Sequence, residues 1–180
     1  MKLTILAFLL LFMGLFRSVI TLANTQEIHA FEIPRSNMVD ITDPNSARIY
    51  PIFIKLPRSY NKNKTQLYPV IYLTDALYSF QLISGATRFP MNTGKMEEAI
   101  IVGISYSKES GGHASRVRDY THSKNSSWKY PTGNAKQYMS FIEKSVFAHI
   151  ENNYRVSSAR IFVGNSLGGL LGAYILLTKP

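Results

Sequence analysis

Cysteine is absent from all 180 residues. Its absence excludes disulfides, a cysteine-linked lipid anchor and thiol catalysis, but it does not argue against export, because a domain of this length needs no covalent staples. Lysine and arginine form no block and no stripe interleaved with aromatics, so the formal charge of +9 does not read as a nucleic-acid surface. Metal-ligand spacing is also lacking. His113, after Gly111-Gly112, and His122 stand in what reads as a loop without a carboxylate cluster, and no motif asks for a cofactor. Finally, the last fourteen residues contain no Asp, Glu or His, and all four histidines (His29, His113, His122, His149) lie before residue 166.

What is present begins with an apolar N-terminus. Lys2 is followed by a nearly unbroken apolar run from Leu3 to Phe16, and Thr21-Leu22-Ala23 offers small residues for cleavage. This is the plan of a secretory signal over residues 1–23, with Asn24 as the mature start and the periplasm or exterior as destination. The run is short for a membrane span. Arg17 ends it in an unusual place, and an uncleaved anchor is the alternative. Cleavage would remove Lys2 and Arg17 and no acid, lowering the net charge from +9 to +7. Asn63-Lys64-Thr65 and Asn125-Ser126-Ser127 match the glycosylation sequon, which matters only in a eukaryotic secretory pathway.

Residues 24–180 read as one α/β unit without repeats or linkers. An edge strand is expected over 27–35, and a second strand over 47–56, where Pro51 suggests an edge or bulge. Residues 57–67 are polar and read as a loop. Val70-Ile71-Tyr72-Leu73 and Ile100-Ile101-Val102-Gly103-Ile104 lack polar alternation, as central parallel strands do. Helical spacing runs from Leu77 to Ile83 and, most clearly, across 134–153 through Ala135, Tyr138, Met139, Ile142, Val146 and Ile150; His149 there reads as a flank residue. The alternation implies a sandwich around a mostly parallel sheet.

The most informative stretch is Gly164-Asn165-Ser166-Leu167-Gly168, between an apparent short buried strand (159–163) and an apolar helix (169–177). A serine on a sharp strand-to-helix turn sits in a strained backbone with its hydroxyl exposed. Small residues at Gly164 and Gly168 let strand and helix approach. The bland reading is a glycine-rich turn that happens to hold a serine.

The chain resembles the Putative esterase family of α/β hydrolases, which includes esterase D, the enterochelin and salmochelin esterases and the mycolyltransferases. The resemblance rests on Tyr68-Pro-Val-Ile-Tyr-Leu-Thr-Asp75, Ala99 to Ile104, Arg118-Asp119-Tyr120-Thr121, Phe141 to Arg155, and Gly164 to Gly169. It implies an α/β-hydrolase fold with Ser166 as nucleophile and backbone N–H groups of Leu167 and Leu77 as the oxyanion hole. The chain departs from the pattern at Ala76, where glycine is usual; a positive φ there would make alanine costly. Asp75 and Asp119 precede the serine. Asp75 is therefore expected to shape the oxyanion loop, and Asp119 to form a structural ion pair with Arg118. The family's acid and histidine would lie beyond Pro180, which implies a hydrolase truncated after its elbow, with the elbow strand left as an exposed edge.

The expected function is exported carboxylic ester hydrolysis, or acyl transfer to an alcohol, on a small-molecule ester; the basic charge favours an anionic one such as a catecholate siderophore. One alternative is an inactive fragment or binding protein that keeps the fold. A membrane-anchored structural protein rests on the N-terminus alone.

Overall fold

A computed structural model describes residues 29–178. The proposed signal segment lies outside the described residues. Five strands form one sheet in the order β1-β2-β4-β3-β5: β1 Ser36–Thr42, β2 Ile49–Lys55, β3 Tyr68–Leu73, β4 Ile100–Ile104 and β5 Val156–Val163. β3 pairs in parallel with β4 and with β5, while β2 runs antiparallel to both of its neighbours. Helices α1 Ala76–Ala86 and α2 Arg88–Asn92 link β3 to β4. Between β4 and β5 come α3 Gly112–Tyr120, α4 Ala135–Phe141, a π-helical turn Ile142–Phe147, and α5 Ala148–Asn153; α6 Leu167–Thr178 follows β5.

The sheet is covered on two faces. Every residue of β3 and β4 is buried, and strand alternation sends them to opposite sides. Val70 and Tyr72 join Tyr50, Ile52, Ile54, Val102, Phe141, Val146, Ile150 and Leu171 on one face. Ile71, Leu73 and Ile101 meet Ala76 and Phe80 on the other. Each large apolar side chain so buried contributes about 1.5–3 kcal/mol. Tyr138, Ile142, Val146 and Ile150 are all buried although they recur every four residues. On a regular α-helix that spacing drifts by roughly 40° per step. The wider π turn offsets the drift and keeps all four on the sheet.

Four expectations need correction. Residues 29–35 are not a strand: Arg35 adopts φ 63, and Ser36 closes a turn onto the Ile33 carbonyl, so the edge strand starts at Ser36. Pro51 lies on an internal strand. Its carbonyl accepts from Ser105 N–H at 2.9 Å, just past the end of β4, so the donor that proline lacks would have faced the point where that ladder stops. The stretch holding His113 is helical, not a loop, because α3 packs through Ser115 and Asp119 as well as Val117 and Tyr120. β5 is largely exposed rather than buried, since β3 alone pairs with it among the described residues.

Candidate active site

The parallel strands β3 and β5 end side by side, and the chain leaves each through a turn into a helix. Thr74 N–H donates to the Val163 carbonyl at 3.1 Å, tying the two ends together. The path from β3 leads to β4 on one side, and the path from β4 returns to β5 on the other. The two turns therefore share a carboxyl-end crevice where strand order reverses, the usual ligand position in open α/β sheets.

Ser166 sits in the second turn with φ 54, in the left-handed region that side chains rarely enter. It is exposed, and its hydroxyl makes no hydrogen bond within the described residues. The flanking glycines are required by contact. A Cβ on Gly164 would stand 2.3 Å from the Gly168 carbonyl oxygen, and one on Gly168 would stand 2.3 Å from Thr74 Oγ1. The turn is closed by Gly168 N–H to the Asn165 carbonyl at 2.9 Å and Leu170 N–H to the Ser166 carbonyl at 3.0 Å.

The first turn is also left-handed, at Asp75 (φ 56). The strained residue is thus Asp75 and not Ala76, which opens α1 with ordinary geometry. Ala76 is buried against β4; a Cβ on Gly103 would come within 2.8 Å of its own Cβ. The glycine that makes room for Ala76 lies in β4. Leu77 follows, exposed, at the start of α1. Neither Leu77 N–H nor Leu167 N–H has an acceptor among the described residues, as holds for first-turn amides generally.

A polar network joins the turns. The Asp75 side chain is 1% exposed and binds Arg116 in a fork, Nε to Oδ1 at 3.1 Å and Nη2 to Oδ2 at 3.2 Å. Arg116 Nη2 also donates to the Asn165 carbonyl at 3.3 Å, so one guanidinium spans both turns beside Ser166. Asp75 N–H donates to Tyr120 Oη at 3.3 Å. Burial, and then the Asp75 carboxylate, push the Tyr78 and Tyr106 phenols above their ordinary range. Arg116 stands outside the motifs that carry the resemblance. Its signal is the i, i+4 spacing with Tyr120, whose ring lies 5.9 Å from the guanidinium carbon.

Asp119 does pair with Arg118, at 2.7 Å, and neither side chain bonds Ser166 among the described residues. His113 lies edge-on to Tyr130, and His122 stacks on Tyr174 at 5.5 Å. Neither bonds Ser166. His149 is on α5. No group of His, Asp and Glu able to hold a metal occurs among the described residues, and no helix among them is long and apolar enough to cross a membrane.

A family model described as "Putative esterase" matches residues 46–180. The chain belongs to that family. It is 35% identical over 167 residues to the ferri-bacillibactin esterase BesA of Bacillus subtilis (strain 168), covering 84% of this chain and 56% of that protein. Among solved structures it resembles the BES protein from Bacillus cereus (TM-score 0.75, 26% identity, 85% of this chain and 62% of that one). An IroE-like serine hydrolase from Shewanella oneidensis gives TM-score 0.70 and 27% identity, over 79% of this chain and 46% of that one. This chain therefore spans little more than half the length of its curated relative. The α/β-hydrolase sandwich expected from the sequence is the fold observed.

Proposed function

We propose that this chain carries the nucleophile-bearing part of an exported serine esterase. The observation that carries the reading is Ser166, exposed and left-handed on a turn whose glycines cannot be replaced without a clash, next to the turn that bears Leu77. In the proposed reaction Ser166 Oγ attacks the carbonyl carbon of an ester. The hydroxyl proton passes to a histidine, the C–O bond to the alcohol breaks, and the alcohol leaves with that proton. Water then hydrolyses the acyl-serine, or a second alcohol takes the acyl group. The amides of Leu167 and Leu77 hold the oxyanion that forms and collapses in each half. The histidine and its orienting acid are supplied from outside the described residues, since no histidine there bonds Ser166.

The substrate class is a small anionic ester of siderophore type. The net charge of +7 that remains once residues 1–23 are removed supports it, as does the name of the B. subtilis relative. Export accords with the N-terminal pattern, and Asn24 is then the first residue of the secreted product. A second reading, an inactive chain that retains the fold, is favoured by the lack of a histidine bonded to Ser166 among the described residues. Without its base a triad serine retains roughly 10³–10⁴ of catalysis over water, far below the complete enzyme.

Fluorophosphonate labelling with peptide mapping tests the proposal. The expected adduct is on Ser166, and Ser166→Ala abolishes it. A folded, soluble chain that takes the label on another serine overturns the assignment, and one that takes no label in excess probe favours the inactive reading. The source of the base is tested separately, by comparing ester turnover of the 180-residue chain with that of the product translated past codon 180. A gain below about tenfold would reject an external base and acid.

A further inference from the structure

A second feature lies at the far end of the sheet, where a positive charge is buried. Lys55, the last residue of β2, is 7% exposed. Its Nζ donates to the Ser84 carbonyl at 2.9 Å, which uses one of three donors. The Ser84 hydroxyl is itself buried with no hydrogen-bond partner among the described residues. Arg35, Arg58 and Arg88 line the same pocket as Lys55, together with Asn92 and apolar walls, and no carboxylate among the described residues lines it. None of these four cations forms an ion pair among the described residues. Burial, and then the charges of Arg35 and Arg88, hold the Lys55 ammonium below its usual pKa.

A basic cluster on a surface is ordinarily a solvated face, with each charge kept in water. This one differs in two respects. One of its cations is buried, at a cost that attraction to an acid normally offsets, and no acid among the described residues lines the pocket. The arginine at its rim is also held in a strained backbone. Arg35 has φ 63, fixed by Leu56 N–H to the Arg35 carbonyl at 2.9 Å and by Arg35 Nε to the Leu56 carbonyl at 3.2 Å. Strain kept in a backbone points to a position that something requires.

We infer that Lys55, Arg35, Arg58 and Arg88 form a binding site for the phosphate group of a small molecule. A phosphate dianion would supply the missing counter-charge. It would accept from the spare Lys55 donors and from guanidinium forks, whose geometry suits its oxygens. The site is separate from the candidate active site. Ala99 and Ile101, at the start of β4, line the pocket, whereas Ser166 lies at the carboxyl rim to which the parallel strands β3, β4 and β5 point. The inference stands whether or not Ser166 is a nucleophile.

Titration calorimetry of the 180-residue chain with inorganic phosphate, at fixed ionic strength, tests it. One saturable site is expected, unchanged in Ser166→Ala and in Lys108→Gln, a surface control paired with Asp40 elsewhere. Arg35→Gln and Arg88→Gln should each weaken binding by roughly tenfold, the loss of one charge-assisted contact. Lys55→Met should abolish it; if that variant fails to fold, the two variants at the exposed arginines decide the outcome. Absence of saturable heat, or equal affinity in wild type and both arginine variants, overturns the site. Acetate binding as tightly as phosphate overturns the phosphate assignment.

Discussion

Helix α3 gives one arginine to each of two carboxylate–arginine pairs, and they are built differently. Arg118 and Asp119 belong to a closed cluster. Asp119 is 1% exposed and accepts from Arg118, from Tyr50 Oη at 3.0 Å, from Ser115 Oγ at 3.2 Å and from Asn134 Nδ2 at 3.1 Å. Arg118 in turn reaches Ser107 and Ser110. The partners come from β2, the segment after β4, and the start of α4, so the cluster fastens α3 to the sheet. Arg116, two residues earlier, reaches out to Asp75 and to the Asn165 carbonyl instead. It joins two left-handed turns at the rim, where Ser166, Leu77 and Tyr78 are exposed. The first pair makes the fold; the second sets the relation between two turns that the fold has already brought together.

The comparison breaks most visibly at Asp119. Asp119→Ala strands the part-buried Arg118 and removes the acceptor of three other donors, at a cost of about 3–5 kcal/mol. That is a large share of a typical domain's stability, so chemical denaturation should show the midpoint falling steeply or the chain failing to fold. A variant within 1 kcal/mol of wild type would mean that the cluster is incidental.

Arg116→Gln should show the opposite balance. Stability falls by about 2–3 kcal/mol, less than at Asp119, because the buried Asp75 carboxylate keeps the Tyr78 and Tyr106 phenols against it. If Ser166 is the nucleophile, its maximal rate of phosphonylation should fall by roughly 10²-fold, because displacing reacting groups by about an ångström costs that much. The concentration of probe giving half that rate should stay unchanged. Arg116→Lys would restore little, because an ammonium cannot fork to both Asp75 oxygens. A stability loss with no change in labelling would place Arg116 with Arg118, as structure alone.

The same contrast explains what could be read from the residues. β3, β4 and the 134–153 helical stretch announce themselves because their buried positions are apolar and periodic. The turn around Ser166 is legible because a clash-limited turn leaves a glycine signature at 164 and 168. α3 is silent: its buried face includes Ser115 and Asp119, which burial patterns read as loop. Arg116 offers only its spacing to Tyr120, since its partner Asp75 is forty-one residues away and no local spacing links those two. The exposure of β5 and the cation pocket around Lys55 depend on which strands neighbour which, and that is a property of topology.

The smallest effect separates the clusters by pH. Burial first, and Asp119 next, raise the Tyr50 phenol well above its ordinary value, and burial does the same for Tyr138 beside it. An unfolded tyrosine ionises near 10. Below that pH both states hold the proton and the stabilisation is complete. Above it the unfolded chain releases protons that the folded chain retains, so stability declines by about 1.4 kcal/mol per pH unit for each such tyrosine. Tyr50→Phe should lessen that alkaline slope by one tyrosine's worth while lowering stability at pH 7, where Asp119 loses a donor. Tyr78→Phe at the open rim should alter the slope less, because Tyr78 is exposed and ionises with smaller hindrance. Thermal melts between pH 9 and about 11, with tyrosinate absorbance followed in parallel, give both slopes. Equal slopes for the two variants would show that the rim cluster is as sealed as the core one, and the distinction between them would fall.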